Sequence, residues 1–133
     1  KYSQEGVKIA GFVSLPVFEN KGKIGYDIVI NKYSKEAERR RLARNSPFGD
    51  AKKWRGFWFD ELVFAKIEGF DFGQCDIFLI DEIGPLELVD KKGFYNAAKR
   101  VYTTFKNTIT VVRSDCLEKF CETFGIKGDK ILC

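Results

Sequence analysis

The chain has 133 residues, of which 44% are hydrophobic, and its 23 Lys and Arg against 19 Asp and Glu give a net charge of +4. This length fits one compact domain, and the small positive charge does not by itself indicate a nucleic-acid or membrane binder. No apolar run approaches the roughly 18 residues that a membrane span needs, and the N-terminus lacks a signal-peptide core. We therefore expect a globular protein that does not cross a membrane.

Two absences exclude whole classes of chemistry. The sequence has no His, so it cannot form a Ser-His-Asp triad, a Cys-His pair or a zinc site with a His ligand. None of its four cysteines forms a C-x-x-C pair, which disfavours an all-cysteine metal site. The cysteines are Cys75, Cys116, Cys121 and Cys133. Without a signal peptide, reduced thiols in a cytoplasmic protein are the expected state.

The first half of the sequence predicts a β-hairpin followed by a basic segment. Residues 7–16 and 24–30 are rich in β-branched and aromatic side chains, and a turn-rich stretch separates them. Residues 35–55 contain eight basic and three acidic side chains, which is a local charge of +5. We expect this segment to be a loop with one short helical turn around Glu36–Ala43, and Gly56–Phe59 to be a short strand.

The second half predicts alternating helices and strands. Asp60 is a candidate N-cap for a helix that ends near Gly69. Ile77–Ile80 is apolar on both faces, which predicts a strand in a sheet covered by helices on both sides. The remaining predicted elements are a helix at 93–105, a strand at Thr108–Val112, a helix with Ser114 as its candidate N-cap that runs to Phe124 and stops at Gly125, and a strand at Lys130–Leu132. This alternation indicates the α/β class: a mainly parallel sheet flanked by helices, with an inserted or preceding β-hairpin.

One motif carries a chemical signal, because Asp81 and Glu82 directly follow the apolar run Ile77–Ile80. In α/β proteins, ligands bind at the carboxyl ends of the strands. One carboxylate there can hold Mg²⁺, which neutralises phosphate oxygens, and its neighbour can deprotonate an attacking water. The pattern thus predicts a Walker-B-type site; the alternative is a strand end whose acids are solvated or cap the next helix.

The segment around these acids resembles a known family. Residues 81–88, DEIGPLEL, resemble the signature of the THEP1-like nucleoside-triphosphatases, a P-loop family. The predicted hairpin, Val7–Val13 and Gly25–Val29, is similar to a β-hairpin of that family. Arg40–Arg44 resembles its basic segment, although Arg41 stands where proline is common. The resemblance covers nearly the whole chain, and residues 81–88 are its most specific part.

The resemblance implies hydrolysis of a nucleoside triphosphate, ATP or GTP, to the diphosphate and phosphate, with Mg²⁺ as the cofactor. On this basis Asp81 would be the metal-associated acid and Glu82 the base that activates water. Glu87 matches a second acid of the family with a supporting role, and its alternative is an exposed acid near a helix start. The sequence carries no signal for the preferred nucleotide or the oligomeric state.

The chain departs from the family in one respect, because it contains no G-x-x-x-x-G-K-[ST] phosphate loop. The backbone N–H groups and the lysine of such a loop supply much of the phosphate binding. Residues 1–133 are therefore expected to form a single NTPase-like domain without the N-terminal Walker A strand, loop and helix. A longer protein, a fragment or a diverged homologue without catalysis would each explain this, and the lack of Met at position 1 favours the first two.

Arginines supply the candidate phosphate contacts. Arg40, Arg41 and Arg44 in the basic segment, and Arg113 at a predicted strand end, are candidates for nucleotide binding because guanidinium groups suit phosphate. Arg55, at the end of the same segment, could also contact triphosphate. The alternatives are a solvated basic face and, for Arg113, a surface ion pair. The rival to the enzyme is a non-catalytic module that binds nucleic acid or a protein through this segment. As a partner, a nucleoside triphosphate is favoured over nucleic acid.

Overall fold

The computed structural model describes residues 6–20, 22–32 and 36–126. Its strands are β1 (Ile9–Glu19), β2 (Gly22–Asn31), β3 (Glu38–Arg44), β4 (Lys52–Trp54), β5 (Phe57–Phe59), β6 (Ile77–Ile83) and β7 (Thr108–Val112). Its helices are α1 (Glu61–Glu68), α2 (Pro85–Leu88), α3 (Tyr95–Thr104) and α4 (Leu117–Phe124), and a 3₁₀ turn at Ser114–Cys116 precedes α4. None of the helices in these ranges is long and apolar enough to cross a membrane.

The seven strands form one mixed sheet in the order β4-β5-β3-β2-β1-β6-β7. The parallel part consists of β1, β6 and β7, since β6 pairs in parallel with both of its neighbours. The other four ladders are antiparallel, and they make the hairpin of β1 and β2 part of the same sheet. The α/β class and the hairpin are confirmed, and the parallel pairing is confined to one end of the sheet.

The hairpin is longer than predicted, and a glycine in its first strand allows close packing against β6. β1 and β2 have 11 and 10 residues and pair from Gly11 with Asn31 to Glu19 with Gly22. Gly11 has a φ of 144°, and a Cβ there would collide with the backbone carbonyl of Leu79 on β6. Only glycine allows this close approach of two strands without strain.

The predicted helical turn at Glu36–Ala43 is wrong, because residues 38–44 form β3. This strand pairs with β2 and buries Leu42 and Ala43 in the core. Pairing with an available strand edge and burial of these two side chains outweigh the local preference of a charged segment. The same segment also contains β4, a three-residue strand on β5 that the sequence did not predict.

Most boundaries of the second half agree with the predictions. The Asp60 carboxylate accepts the Leu62 N–H at 3.0 Å and so caps α1, as predicted. Gly125 ends α4 with a φ of 65°, as predicted. Ser114 does not cap a helix; it begins the 3₁₀ turn, and no side chain caps α4. The strand predicted at Lys130–Leu132 lies outside the described residues.

The hydrophobic core lies on one face of the sheet. Phe12, Phe78 and Ile80 are fully buried there, and α1, α3 and α4 cover them. The covering side chains include Val63, Ile67, Phe94, Ala98, Val101 and Phe120. On the other face of β7, Ile109 and Val111 are 54% and 50% exposed. Within the described ranges the helices thus cover one face at this edge rather than both.

Candidate active site

Asp81 and Glu82 occupy an irregularity in β6. The strand continues through both acids to Ile83, beyond the end that the apolar run predicted. Ile80 pairs with Thr110 and Ile83 with Val112, so β6 uses three residues where β7 uses two. This extra residue lets Ile80 and Ile83 both be fully buried, although side chains three apart in a regular strand face opposite sides. Such bulges re-aim side chains and are common beside active sites.

The Asp81 carboxylate is half-buried at this bulge. Burial raises its pKa above the ordinary value, and a hydrogen bond from the Ser14 backbone on neighbouring β1 opposes that rise. The described residues contain no cluster of three or more His, Cys, Asp or Glu. A lone carboxylate still fits Mg²⁺, which is bound through one or two carboxylates together with waters and substrate phosphates. The side chain of Glu82 lies outside the described part of the structure.

Glu87 is buried, so its interpretation as an exposed acid is wrong. The side chain is 4% exposed, and its carboxylate accepts the Gly84 N–H at 3.1 Å and the Phe94 N–H at 3.0 Å. As the third residue of α2, it reaches back to the residue that precedes the helix. Glu87 thus joins the end of β6 to the start of α3 and fixes the intervening loop.

A pocket of about 310 Å³ opens beside this loop, at the carboxyl end of β6. Its lining combines Arg55 and Arg113 with the Gly84–Glu87 segment and an aromatic wall. The wall consists of Tyr26, Phe57, Phe59, Phe64 and Phe94. Ser14, whose backbone contacts Asp81, also lines the pocket. A pocket with an apolar wall and a few convergent polar groups is typical of small-molecule sites.

Arg113 lies where the sequence places it, at the edge of the sheet next to the end of β6. Its backbone N–H donates to the Ile83 carbonyl at 3.4 Å, and its side chain lines the pocket. The guanidinium also pairs with Asp115 at 2.7 Å, so the predicted ion pair is present. Half of the Arg113 side chain is exposed, which leaves it accessible to a ligand in the pocket.

Arg40, Arg41 and Arg44 lie on β3 and do not line the pocket. Arg44 donates to Asp27 at 2.8 Å and to two backbone carbonyls, and Arg40 pairs with Glu38. Burial raises the pKa of Asp27, but hydrogen bonds from Arg44 and a second arginine outweigh this and lower it below the ordinary value. Arg40 and Arg44 thus form ion pairs within the sheet. The nucleotide contacts of the three arginines stay a prediction.

Arg55, which the sequence offers only as one of several basic side chains that could contact triphosphate, lines the pocket. It lies in the turn between β4 and β5, and it reaches Asp90, which follows α2. Its Nε donates to one Asp90 oxygen at 2.7 Å and its Nη2 to the other at 3.1 Å. The hydrogen bonds raise the pKa of Arg55 and lower the pKa of Asp90. The sequence signal that could have identified Arg55 is the Arg-Gly dipeptide in the turn between Trp54 and Phe57.

The comparisons with known proteins assign the chain to one family. A family model for NTPases matches residues 1–131, and the chain therefore belongs to the NTPase family. This confirms the resemblance inferred from residues 81–88. The fold is similar to the solution structure of a human cancer-related nucleoside triphosphatase, with a TM-score of 0.54 and 20% identity over 91% of this chain and 71% of that chain. None of the curated proteins compared with the chain matches it.

Proposed function

We propose that the protein hydrolyses nucleoside triphosphates, ATP or GTP, to the diphosphate and phosphate in a Mg²⁺-dependent reaction. The observation that carries this proposal is the acidic bulge of β6 in a chain that belongs to the NTPase family. In the proposed P-loop-type site, Asp81 and Glu82 are the Walker B acids. The name of the structural neighbour, a nucleoside triphosphatase, supports the same reaction class.

The proposed mechanism gives each acid a separate task. Glu82 accepts a proton from a water molecule, whose oxygen then forms a bond to the γ-phosphorus. The bond from that phosphorus to the β–γ bridging oxygen breaks, and the diphosphate leaves with the electron pair. Asp81 would hold Mg²⁺, which neutralises charge on the phosphate oxygens when it is bound. Glu87 has the supporting task of fixing the loop that follows the two acids.

The pocket gives the nucleotide two kinds of surface. We assign the phosphates to the side of Arg113, because guanidinium groups form charge-assisted hydrogen bonds with phosphate. The aromatic side chains of the wall suit the flat apolar faces of a base. This orientation directs the phosphates toward the edge of the sheet where β6 and β7 end.

Turnover by a Glu82→Gln variant tests the assignment of the base. The full-length protein is assayed for phosphate release from ATP and from GTP with Mg²⁺, and the variant is expected to lose about 10²–10⁴-fold in kcat. Glu118→Gln, at an exposed acid on α4, is the matched control and should keep wild-type turnover. Unchanged turnover in Glu82→Gln would show that Glu82 is not the base.

A further inference from the structure

Two loops meet at the mouth of the pocket and are joined by two charged contacts. One is the turn between β4 and β5, which contains Arg55, and the other is the segment that follows α2. Arg55 binds both oxygens of Asp90, and the Lys92 ammonium lies 4.8 Å from the centre of the Trp54 ring. Residues 35 positions apart in sequence are thereby held together beside the ligand pocket.

The backbone of both loops is in a conformation that side chains disfavour. In the described ranges, Arg55 and Lys91 are the non-glycine residues with a positive φ, at 49° and 56°. Arg55 lies in one of the two loops and is itself a member of the ion pair, and Lys91 lies in the other loop, directly after Asp90. Such strained residues persist where surrounding contacts hold them, and they concentrate at ligand sites. Glycine would adopt the backbone of residue 55 more easily, so the arginine is present for its side chain.

The ion pair uses only one edge of the guanidinium group. Asp90 is bound through Nε and Nη2, and Nη1 has no hydrogen-bond acceptor among the residues that the structure describes. The Arg55 side chain is 45% exposed and lines the pocket together with Arg113. An arginine has five N–H donors in a planar fork, so a second edge can bind another anion while the first holds Asp90.

We propose that Arg55 binds the phosphate chain of the ligand in the pocket through its free edge, while Asp90 holds the guanidinium in place. The phosphate chain then lies between Arg55 and Arg113, both of which line the pocket. The identity of the ligand as a nucleoside triphosphate rests on the proposed function. The phosphate contact itself does not, because inorganic tripolyphosphate offers the same oxygens.

Calorimetric binding of tripolyphosphate, ATP and adenosine to the full-length protein tests this contact. Arg55→Gly is the main variant, since glycine suits the φ of 49° and the turn should fold. Arg55→Gln keeps the length of the side chain and serves if the glycine variant is unfolded by circular dichroism. Arg39→Gln is the matched control, because Arg39 is an exposed, acid-paired arginine that does not line the pocket.

Loss of Arg55 is expected to weaken tripolyphosphate and ATP by a similar factor of about 10 to 100. Adenosine binding should not change, and Arg39→Gln should bind all three ligands as the wild type does. Wild-type affinity for tripolyphosphate in both Arg55 variants would overturn the proposal, as would the absence of tripolyphosphate binding to the wild type. Arg55-dependent binding without ATP hydrolysis would refute the proposed function and support this contact. ATP hydrolysis at the wild-type rate in the Arg55 variants, together with tripolyphosphate binding that does not depend on Arg55, would support the proposed function and refute this contact.

Discussion

The Glu87→Ala substitution removes the acceptor that joins the end of β6 to the start of α3. In the native protein the buried carboxylate accepts the N–H groups of Gly84 and Phe94, at 3.1 and 3.0 Å. Both donors are buried, so water cannot replace the carboxylate without opening the loop. We therefore expect the variant to be less stable and to lose the shape of the pocket beside the two acids.

The size of the effect follows from the two hydrogen bonds. A hydrogen bond to a charged group contributes about 1.5–3 kcal/mol, and leaving its partner buried and unsatisfied costs a similar amount. Loss of both bonds should lower the free energy of unfolding by about 3–6 kcal/mol, which is a large part of the total of about 5–15 kcal/mol. Glu87→Gln keeps one acceptor oxygen and the shape of the side chain, so we expect about half of that loss.

Urea denaturation of the two variants measures these differences, with Glu118→Ala at an exposed position as the control. The order of stability should be control, Gln variant and Ala variant, and the control should lie within about 0.5 kcal/mol of the wild type. A Glu87→Ala variant as stable as the control would refute the account of this loop. A Gln variant no more stable than the Ala variant would refute the role of the acceptor oxygens.

Three further predictions concern stability and titration. Burial raises the pKa of Asp27 but two arginine hydrogen bonds lower it more, so its stabilisation is lost as the pH falls through the lowered pKa. In urea denaturation at about pH 7, Asp27→Asn should therefore be less stable than the wild type by about 1–2 kcal/mol. The difference should disappear at acidic pH, and equal acid sensitivity of both proteins would contradict this. Burial raises the pKa of Tyr102 to about 12, and its hydrogen bond to a threonine only partly opposes the rise, so phenolate absorbance should appear near that pH and stability should fall above about pH 10. A titration midpoint at the ordinary tyrosine value would count against this burial. Gly11→Ala should lower the free energy of unfolding by about 2–4 kcal/mol through collision with the Leu79 carbonyl. Gly69→Ala, whose Cβ would meet only the Ala65 carbonyl at an ordinary contact distance of 3.7 Å, should change it by less than about 1 kcal/mol.

The parts of the fold that the sequence predicts well depend on local signals. The Asp60 cap, the apolar run Ile77–Ile80 and the stop at Gly125 each involve neighbours within a few residues, and each is present in the structure. The strand at residues 38–44 depends instead on the edge of β2, which is remote from the pattern of the segment itself. A charged sequence therefore predicted a helical turn where pairing between strands produces β3.

The residues of the candidate site likewise include some that local patterns predict and some that depend on contacts remote in sequence. The position of Asp81 after a buried strand is a local pattern, and the structure places it at the carboxyl end of β6 as expected. The burial of Glu87 depends on a loop that folds back to Phe94, which no periodicity reveals. The position of Arg55 in the pocket depends on contact between two loops, which the ion pair with Asp90 joins. Arg55 and Asp90 are 35 positions apart in the sequence. The sequence thus predicts the acids of the candidate site, but it does not distinguish Arg55 from the other basic side chains of residues 35–55.

Phosphate release from ATP and GTP by the full-length wild-type protein is the measurement that decides whether it hydrolyses nucleoside triphosphates. We expect steady release of phosphate and the matching diphosphate with Mg²⁺, and loss of release when the cation is chelated. A protein heated beyond its unfolding transition provides the blank for contaminating phosphate. Release at the level of this blank, from a folded protein supplied with Mg²⁺ and either nucleotide, would show that the protein does not catalyse this reaction.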